Sequence, residues 1–597
     1  MIPEKPLPYP DCWSSAEEYV ENLLEFTTTS DLFQTFCGGV HILDFFTNEP
    51  GLFHMVVPPD WRPFLLQCDP MELLDVLMRH DLGSDGMSGP RPPESLVKYV
   101  RDVRKFSLAR DFCYEQKKLP KMTRLLSVGM KPKKIHEVSN FASYVHRFAS
   151  SIAPDIGGEV THFVDFGSGQ NYLGRALASA PYNKQMVAVE GREHNIAGAK
   201  ELDVFAGVAQ RPKVMRNKKL FMQQLDSETP EDQLDAKALR RLANPPKLPD
   251  GYAADFRPLR ELQPEYKPED GKGFVRYIQG RLESGDLSDV IAQLEDNPSA
   301  ENKQSKNLRL MAVSIHSCGN LSHHGIRSII LNPRVQAIAI VGCCYNLLTE
   351  RLGPPTYKHP YMRPSLQALN GRVVRESARR DPHGFPMSDR LCNYKGTGIR
   401  QNITARMMAC QAPQNWTQAE SDSFFTRHFF RAVLQKIFLD RGVIGKVYHN
   451  EQQSDEDDEN SVRSPFNFST NPVIIGSLRK SCYGSFRAYV RGAVAKLTTH
   501  SDYHEYCDAI REKMDGITDE EISRYEEQYL PRKRELSAIW SLMAFSAVVV
   551  EALIVTDRWL FLRQHADLVQ KCWVETVFDY RESPRNLVIV GVKRPQP

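Results

Sequence analysis

The stretch HFVDFGSGQNYLG, residues 162–174, decides how the rest of the chain is read. An apolar run carries Asp165 near its end and passes through Gly167, Ser168 and Gly169 into a helical pattern. Glycine is needed where the main chain takes a positive φ and where a ligand must come close to the backbone. Strand, glycine turn and helix in this order predict the first crossover of a parallel sheet, with a small-molecule site at the strand end. The next apolar run, QMVAVE (185–190), ends in Glu190. From that position a carboxylate accepts hydrogen bonds from both hydroxyls of an adenosine ribose.

Working outward, the apolar runs MAVSIHS (311–317) and VQAIAIVG (335–342) follow, separated from each other and from the first two by amphipathic segments. That alternation predicts an α/β fold built on a parallel sheet. Near the end, CWVETVFDY and NLVIVGVKR flank the turn ESPR and predict an antiparallel hairpin. Upstream, helical periodicity over residues 14–80 resumes after the loop GSDGMSGPRPPES. We therefore expect an α-helical N-terminal unit over 1–129 and a Rossmann-like domain over 130–597. Insertions are expected near 211–273 and 445–470, the second holding the acidic run SDEDDEN (454–460). The apolar stretch Ala538–Val555 contains Ser541, Ser546 and Glu551 and runs into Asp557 and Arg558, so it reads as a buried helix and not a membrane span.

The 597 residues, 41% hydrophobic and 25% charged, exclude a disordered chain and a small disulfide scaffold. With a formal net charge of +2, any contact with nucleic acid has to come from a local patch. The twelve cysteines contain no Cys-x-x-Cys pair, which fits a reducing compartment and argues against a zinc ribbon. The opening MIPEKPLPYPDCW has neither an apolar h-region nor an Arg-rich amphipathic pattern. The expectation is a cytoplasmic or nuclear protein with no membrane partner.

The glycine loop also discriminates between cofactors. A dinucleotide fingerprint would place its third glycine at position 172, where Tyr172 would crowd a pyrophosphate against the helix N-terminus. S-adenosylmethionine instead brings a cationic sulfonium and no phosphate, and an acid within the loop suits it. Asp165, Gly167, Ser168 and Gly169 are expected to hold its methionine part and Glu190 its ribose. The terminal hairpin agrees, because class I methyltransferases close their parallel sheet with one antiparallel strand. The plainer alternative is a tight strand-to-helix turn with a solvated glutamate at the next strand end.

Two further clusters close apolar strands: SIHSCGNLS (314–322) and VGCCYNLLTE (341–350). Ligands of open α/β sheets bind beyond the carboxyl ends of the strands. There Ser317 and Cys318 are expected on the cofactor side, with His316, Tyr345 and Asn346 lining the acceptor side. Methyl transfer from a sulfonium needs mainly in-line positioning, which an aromatic ring and a polar acceptor can provide. Cys343 and Cys344 read as small buried hydrophobes, and no metal site is expected. No G-x-S-x-G elbow supports a hydrolase.

KPKKIHEV, FVDFGSGQNYLG, SIHSCGNLS, VGCCYNLLTE, GFPMS and SPRNLVIVGV together resemble the methyltransferase-like protein 25 domain family. The likeness runs from about Met130 to the end, with a weaker echo in LFHMVVPPDWRPFL (52–65). It implies a Rossmann-like methyltransferase fold that depends on S-adenosylmethionine. It also implies a helix carrying Lys-Lys-x-His-Glu beside the cofactor, which here gives Lys133, Lys134, His136 and Glu137. The family loop often reads Gly-x-Gly-x-Gly, whereas Asn171 stands at the last position here and can supply an amide contact. The resemblance does not specify the methyl acceptor.

Residues 363–406 hold nine Lys or Arg against three Asp or Glu. Such a segment can track the phosphates of RNA, or it can be a solvated surface or the partner of the acidic run. The sequence thus supports an S-adenosylmethionine-dependent methyltransferase acting on RNA or protein. The alternative is a non-catalytic scaffold of the same fold that binds RNA or protein.

Overall fold

The computed structural model describes residues 2–79, 91–112, 119–212, 218–230, 233–244, 262–295, 308–352, 381–448 and 468–595. It divides into two compact units, each assembled from separate stretches of chain. The smaller comprises Leu119–His146 and His162–Arg281; the larger comprises Met1–Lys118, Arg147–Thr161 and Leu282–Pro597.

In the smaller unit, β1 (His162–Phe166), β2 (Gln185–Glu190) and β3 (Phe274–Gln279) run parallel with β2 in the middle, Asp165 opposite Ala188 and Glu190 opposite Gln279. Both β1 and β2 are buried along almost their whole length, as expected of parallel strands covered on two faces. Between them lies the helix Tyr172–Ala178, and after β2 comes Glu193–Ala206. The expected insertion at 211–273 is in part helical: Lys218–Glu228 and Ala236–Ala243 are tied by Arg241 to Asp226 at 2.6 Å.

In the larger unit, β4 (Leu310–Ser317) and β5 (Val335–Gly342) pair in parallel around the helix Asn320–Leu331. A short antiparallel ribbon, β6 (Lys446–Tyr448) with β7 (Phe468–Thr470), brackets the second expected insertion. The acidic run 454–460 lies outside the described residues. The predicted terminal hairpin forms from β8 (Val569–Thr576) and β9 (Leu587–Lys593), with β9 antiparallel to both β8 and β5. Parallel strands in each unit, with β9 and β8 antiparallel at the end of the larger, give the α/β Rossmann-like methyltransferase architecture read from the sequence.

The core of the larger unit is the helix Lys533–Gln564, buried at every position from Glu535 through Leu562 apart from Val548. By length and composition it is apolar enough to cross a membrane, but 94% of its most apolar window is covered by protein. A helix apolar all round needs cover on every face. The N-terminal helices help supply it, with the Tyr99 and Ser546 hydroxyls 2.6 Å apart. This packing is why the N-terminal helices cluster with residues beyond 282 and do not stand apart as a unit over 1–129.

Candidate functional site

The loop after β1 shows why its glycines are there. Gly167 takes φ +62° and Gly169 φ +56°, the left-handed region that side chains rarely enter. Asn171 takes φ 51°, so the position the family often fills with glycine keeps a glycine-like backbone, and asparagine is among the residues that tolerate it best. The amides of Gly167 and Ser168 donate to the Val189 carbonyl at 2.9 and 3.2 Å, fastening the loop to the end of β2. A side chain at Gly169 would enter open space, its nearest neighbour being the Gly167 carbonyl at 3.9 Å.

Two carboxylates flank this loop. Asp165 is buried, and burial pushes its carboxyl up to about 8; the Lys134 ammonium pulls the other way and Glu190 adds to the rise. Glu190, also buried, accepts from the Gly169 amide at 2.8 Å through Oε2 and from the Arg192 amide at 2.9 Å through Oε1. Each oxygen keeps a further lone pair for a ligand. The helix Pro132–Ile152 brings the expected Lys-Lys-x-His-Glu residues, with Lys134 on the fully buried Glu137 at 2.7 Å and Lys133 at 3.9 Å. His136 lies beside Asn140, ring Nδ1 to amide at 3.3 Å. Lys134 and Glu190 therefore both act on Asp165.

Asn171 departs from its expected part. Its side-chain amide donates to the Tyr277 hydroxyl at 2.8 Å, and Gly174 leaves room for its Oδ1, which is buried without a partner among the described residues. It braces the loop from within. Tyr277 donates to Asp203 at 2.5 Å, joined there by Tyr266 at 2.8 Å and by Arg175 Nε at 2.7 Å. Arg175 also donates to the Gln170 carbonyl at 2.9 Å, holding the loop from its other side. Sequence reasoning missed this network. The only signal was an acid, Asp203, within an otherwise amphipathic helix.

The remaining predicted residues belong to the larger unit. Ser317 is buried with its hydroxyl unpartnered among the described residues, His316 takes φ +62°, and Cys318 is exposed. Tyr345 corrects the catalytic expectation. It is fully enclosed, donates to Glu551 at 2.7 Å, and has the guanidinium carbons of Arg558 and Arg585 at 5.5 and 5.7 Å from its ring centre. Burial alone would raise the Glu551 carboxyl, but Arg110 and Arg585 hold it below its ordinary value. Tyr345 thus completes a buried charge cluster. Asn346 is half-buried, with Cys410 Sγ 3.5 Å from its Oδ1.

The cysteines also differ from expectation. Cys343 is buried, but Cys344 is only half-buried, and both sulfurs converge on Cys318. Of the basic segment, residues 363–380 lie outside the described residues. Downstream, Arg390 pairs with Glu17 and Glu21, Lys395 with Glu25, and Arg406 with Glu350. These cations are engaged within the fold, and the acids they meet are not those of 454–460.

Residues 133–351, which include this loop and the strands that carry it, match a family model described as a methyltransferase domain. The resemblance seen in the sequence is also found among curated proteins. The chain is similar to the human probable methyltransferase-like protein 25, at 26% identity over 315 residues that cover 52% of this chain and 39% of the human protein. The mouse protein of the same name is 23% identical over 529 residues, covering 78% of this chain and 75% of its own length. No solved structure matches the chain.

Proposed function

We propose that this chain is an S-adenosylmethionine-dependent methyltransferase whose cofactor is held by the smaller unit. The observation that carries this reading is the left-handed loop at Gly167 and Gly169, flanked by the interacting carboxylates of Asp165 and Glu190. The residues fit the cofactor in three respects. The buried Ser168 hydroxyl has no partner among the described residues, Gly169 opens onto free space, and the paired acids match a cationic ligand bearing a ribose.

When bound, the cofactor supplies a methyl group on an already activated leaving group. The chain's own residues have to bind and orient. Asp165 faces the positive charge of the methionine part, Glu190 accepts from the ribose hydroxyls, and Ser168 offers a hydroxyl between them. The network of Asn171, Tyr277, Asp203 and Arg175 keeps the loop in its binding shape before the ligand arrives, which reduces the ordering cost of binding. The methyl acceptor, RNA or protein, is part of the proposal.

Transfer of radiolabelled methyl groups into fractionated lysate, compared between wild type and Glu190→Ala, tests the reading. Label entering one fraction with wild type alone supports it. The enclosure of Tyr345 favours the second reading, a non-catalytic scaffold of the same fold. On that reading the folded protein binds its partner equally well as Asp165→Ala and transfers no label.

A further inference from the structure

The sulfurs of Cys318, Cys343 and Cys344 lie beyond the ends of β4 and β5, 3.2, 3.3 and 3.5 Å apart in the three pairs. A disulfide would bring one pair to about 2.05 Å and leave the third sulfur out. Sulfurs held about 2.3 Å from one tetrahedral ion stand roughly 3.8 Å from each other, so a near-equilateral triangle suits a shared ion.

Two further observations point the same way. The first is the backbone that aims Cys318. His316 sits at φ +62°, the β4–β5 register shifts between Ser314 and Ser317, and the Cys318 sulfur is held 3.4 Å from the His316 carbonyl. A non-glycine residue held in the left-handed region stores strain, which clusters at binding sites. The second is Arg558. It is buried, donates to Ser322 at 2.6 Å, and leaves Nε and Nη1 without partners among the described residues. Its Nη1 fills the space that a side chain on Gly342, the neighbour of Cys343, would need. Three thiolates around a dication carry one net negative charge, which a buried, partly unpaired guanidinium next to the site would offset.

We propose that Cys318, Cys343 and Cys344 form a three-thiolate site for a thiophilic divalent ion of the zinc class, with the fourth coordination position open. Three protein ligands and an open position are the pattern of catalytic zinc, whereas structural sites are closed by a fourth ligand. Cys410 lies close by but is turned to the Cys343 carbonyl at 3.7 Å and to Asn346. Binding exchanges the thiol protons for the ion, so it releases protons and strengthens as pH rises. The proposal is independent of the cofactor reading.

The test uses the full chain, reduced and freed of metal, titrated with cobalt chloride alone and then with zinc chloride. The expected result is one equivalent of cobalt with a thiolate-to-cobalt charge-transfer band, displaced by zinc. In Cys318→Ser and Cys344→Ser, affinity should fall by more than the roughly 10–100-fold typical of losing an outer-shell partner, while Cys482→Ser matches wild type. Cys318 is exposed, so its variant should fold, and melting curves check this. Should either variant misfold, zinc protection of the three cysteines from alkylation in wild type, read by mass spectrometry, decides the matter. Absence of the thiolate band in folded, reduced wild type overturns the proposal. So does equal affinity in the folded Ser variants, or alkylation of the three cysteines undiminished by zinc.

Discussion

Asp165 shows what a buried acid does to the stability of its own fold. Its carboxyl is pushed up to about 8 because burial penalises the charged form. The folded chain therefore holds a proton that the unfolded chain gives up near pH 4. Between about pH 4 and pH 8 the native state binds more protons than the unfolded state, so stability falls as pH rises through that window. Asp165→Asn removes the titration. We expect its stability to match wild type near pH 4 and to exceed it increasingly up to pH 8, by an amount on the order of a few kcal/mol. Differential scanning calorimetry across that range checks this, and a constant difference at every pH would refute it. Asn171 carries a related lesson. The sequence marked it as a departure from a glycine pattern, and its φ of 51° shows that the backbone requirement survived the substitution.

At the scale of elements, the buried helix Lys533–Gln564 was legible because a membrane span would not carry Glu551, Asp557 and Arg558 along one apolar run. Their partners were not legible. Tyr345 follows a strand end, where ligands usually bind, yet its hydroxyl reaches Glu551, 206 residues away in sequence. Such a pairing leaves no trace in local spacing. The cluster it forms makes a graded prediction. Tyr345→Phe removes one hydrogen bond to a charged group and should cost about 1.5–3 kcal/mol. Glu551→Ala leaves Arg110 and Arg585 without their shared anion and should cost about 3–5 kcal/mol. Chemical denaturation measures both, and equal losses would contradict the arrangement. The hairpin of β8 and β9 was readable, since two β-rich runs around a proline turn have few alternatives, although β8 starts at Val569, ahead of the expected run, and ends at Thr576.

For the whole molecule, the α/β architecture followed from the alternation of apolar runs with amphipathic segments, and the left-handed turn after β1 from a glycine pattern with an acid at each side. The division into units did not follow. It depends on which helices cover the long apolar helix, and composition does not encode that choice. That Cys318 and the Cys343–Cys344 pair close strands facing one crevice was readable, but the close approach of their three sulfurs was not, because it depends on the register in which β4 and β5 pair. The central claim remains that the loop after β1, between Asp165 and Glu190, receives an adenosine-bearing cofactor. The most direct measurement is isothermal titration of the full chain with S-adenosylhomocysteine, for wild type, Asp165→Asn and Glu190→Ala. The account predicts one site per chain in wild type, with affinity rising between pH 6 and pH 8 as Asp165 ionises, and at pH 8 at least about tenfold weaker binding in each variant, equivalent to about 1.4 kcal/mol. Heat absent from folded wild type at high micromolar ligand, or binding indifferent to both substitutions, would contradict it.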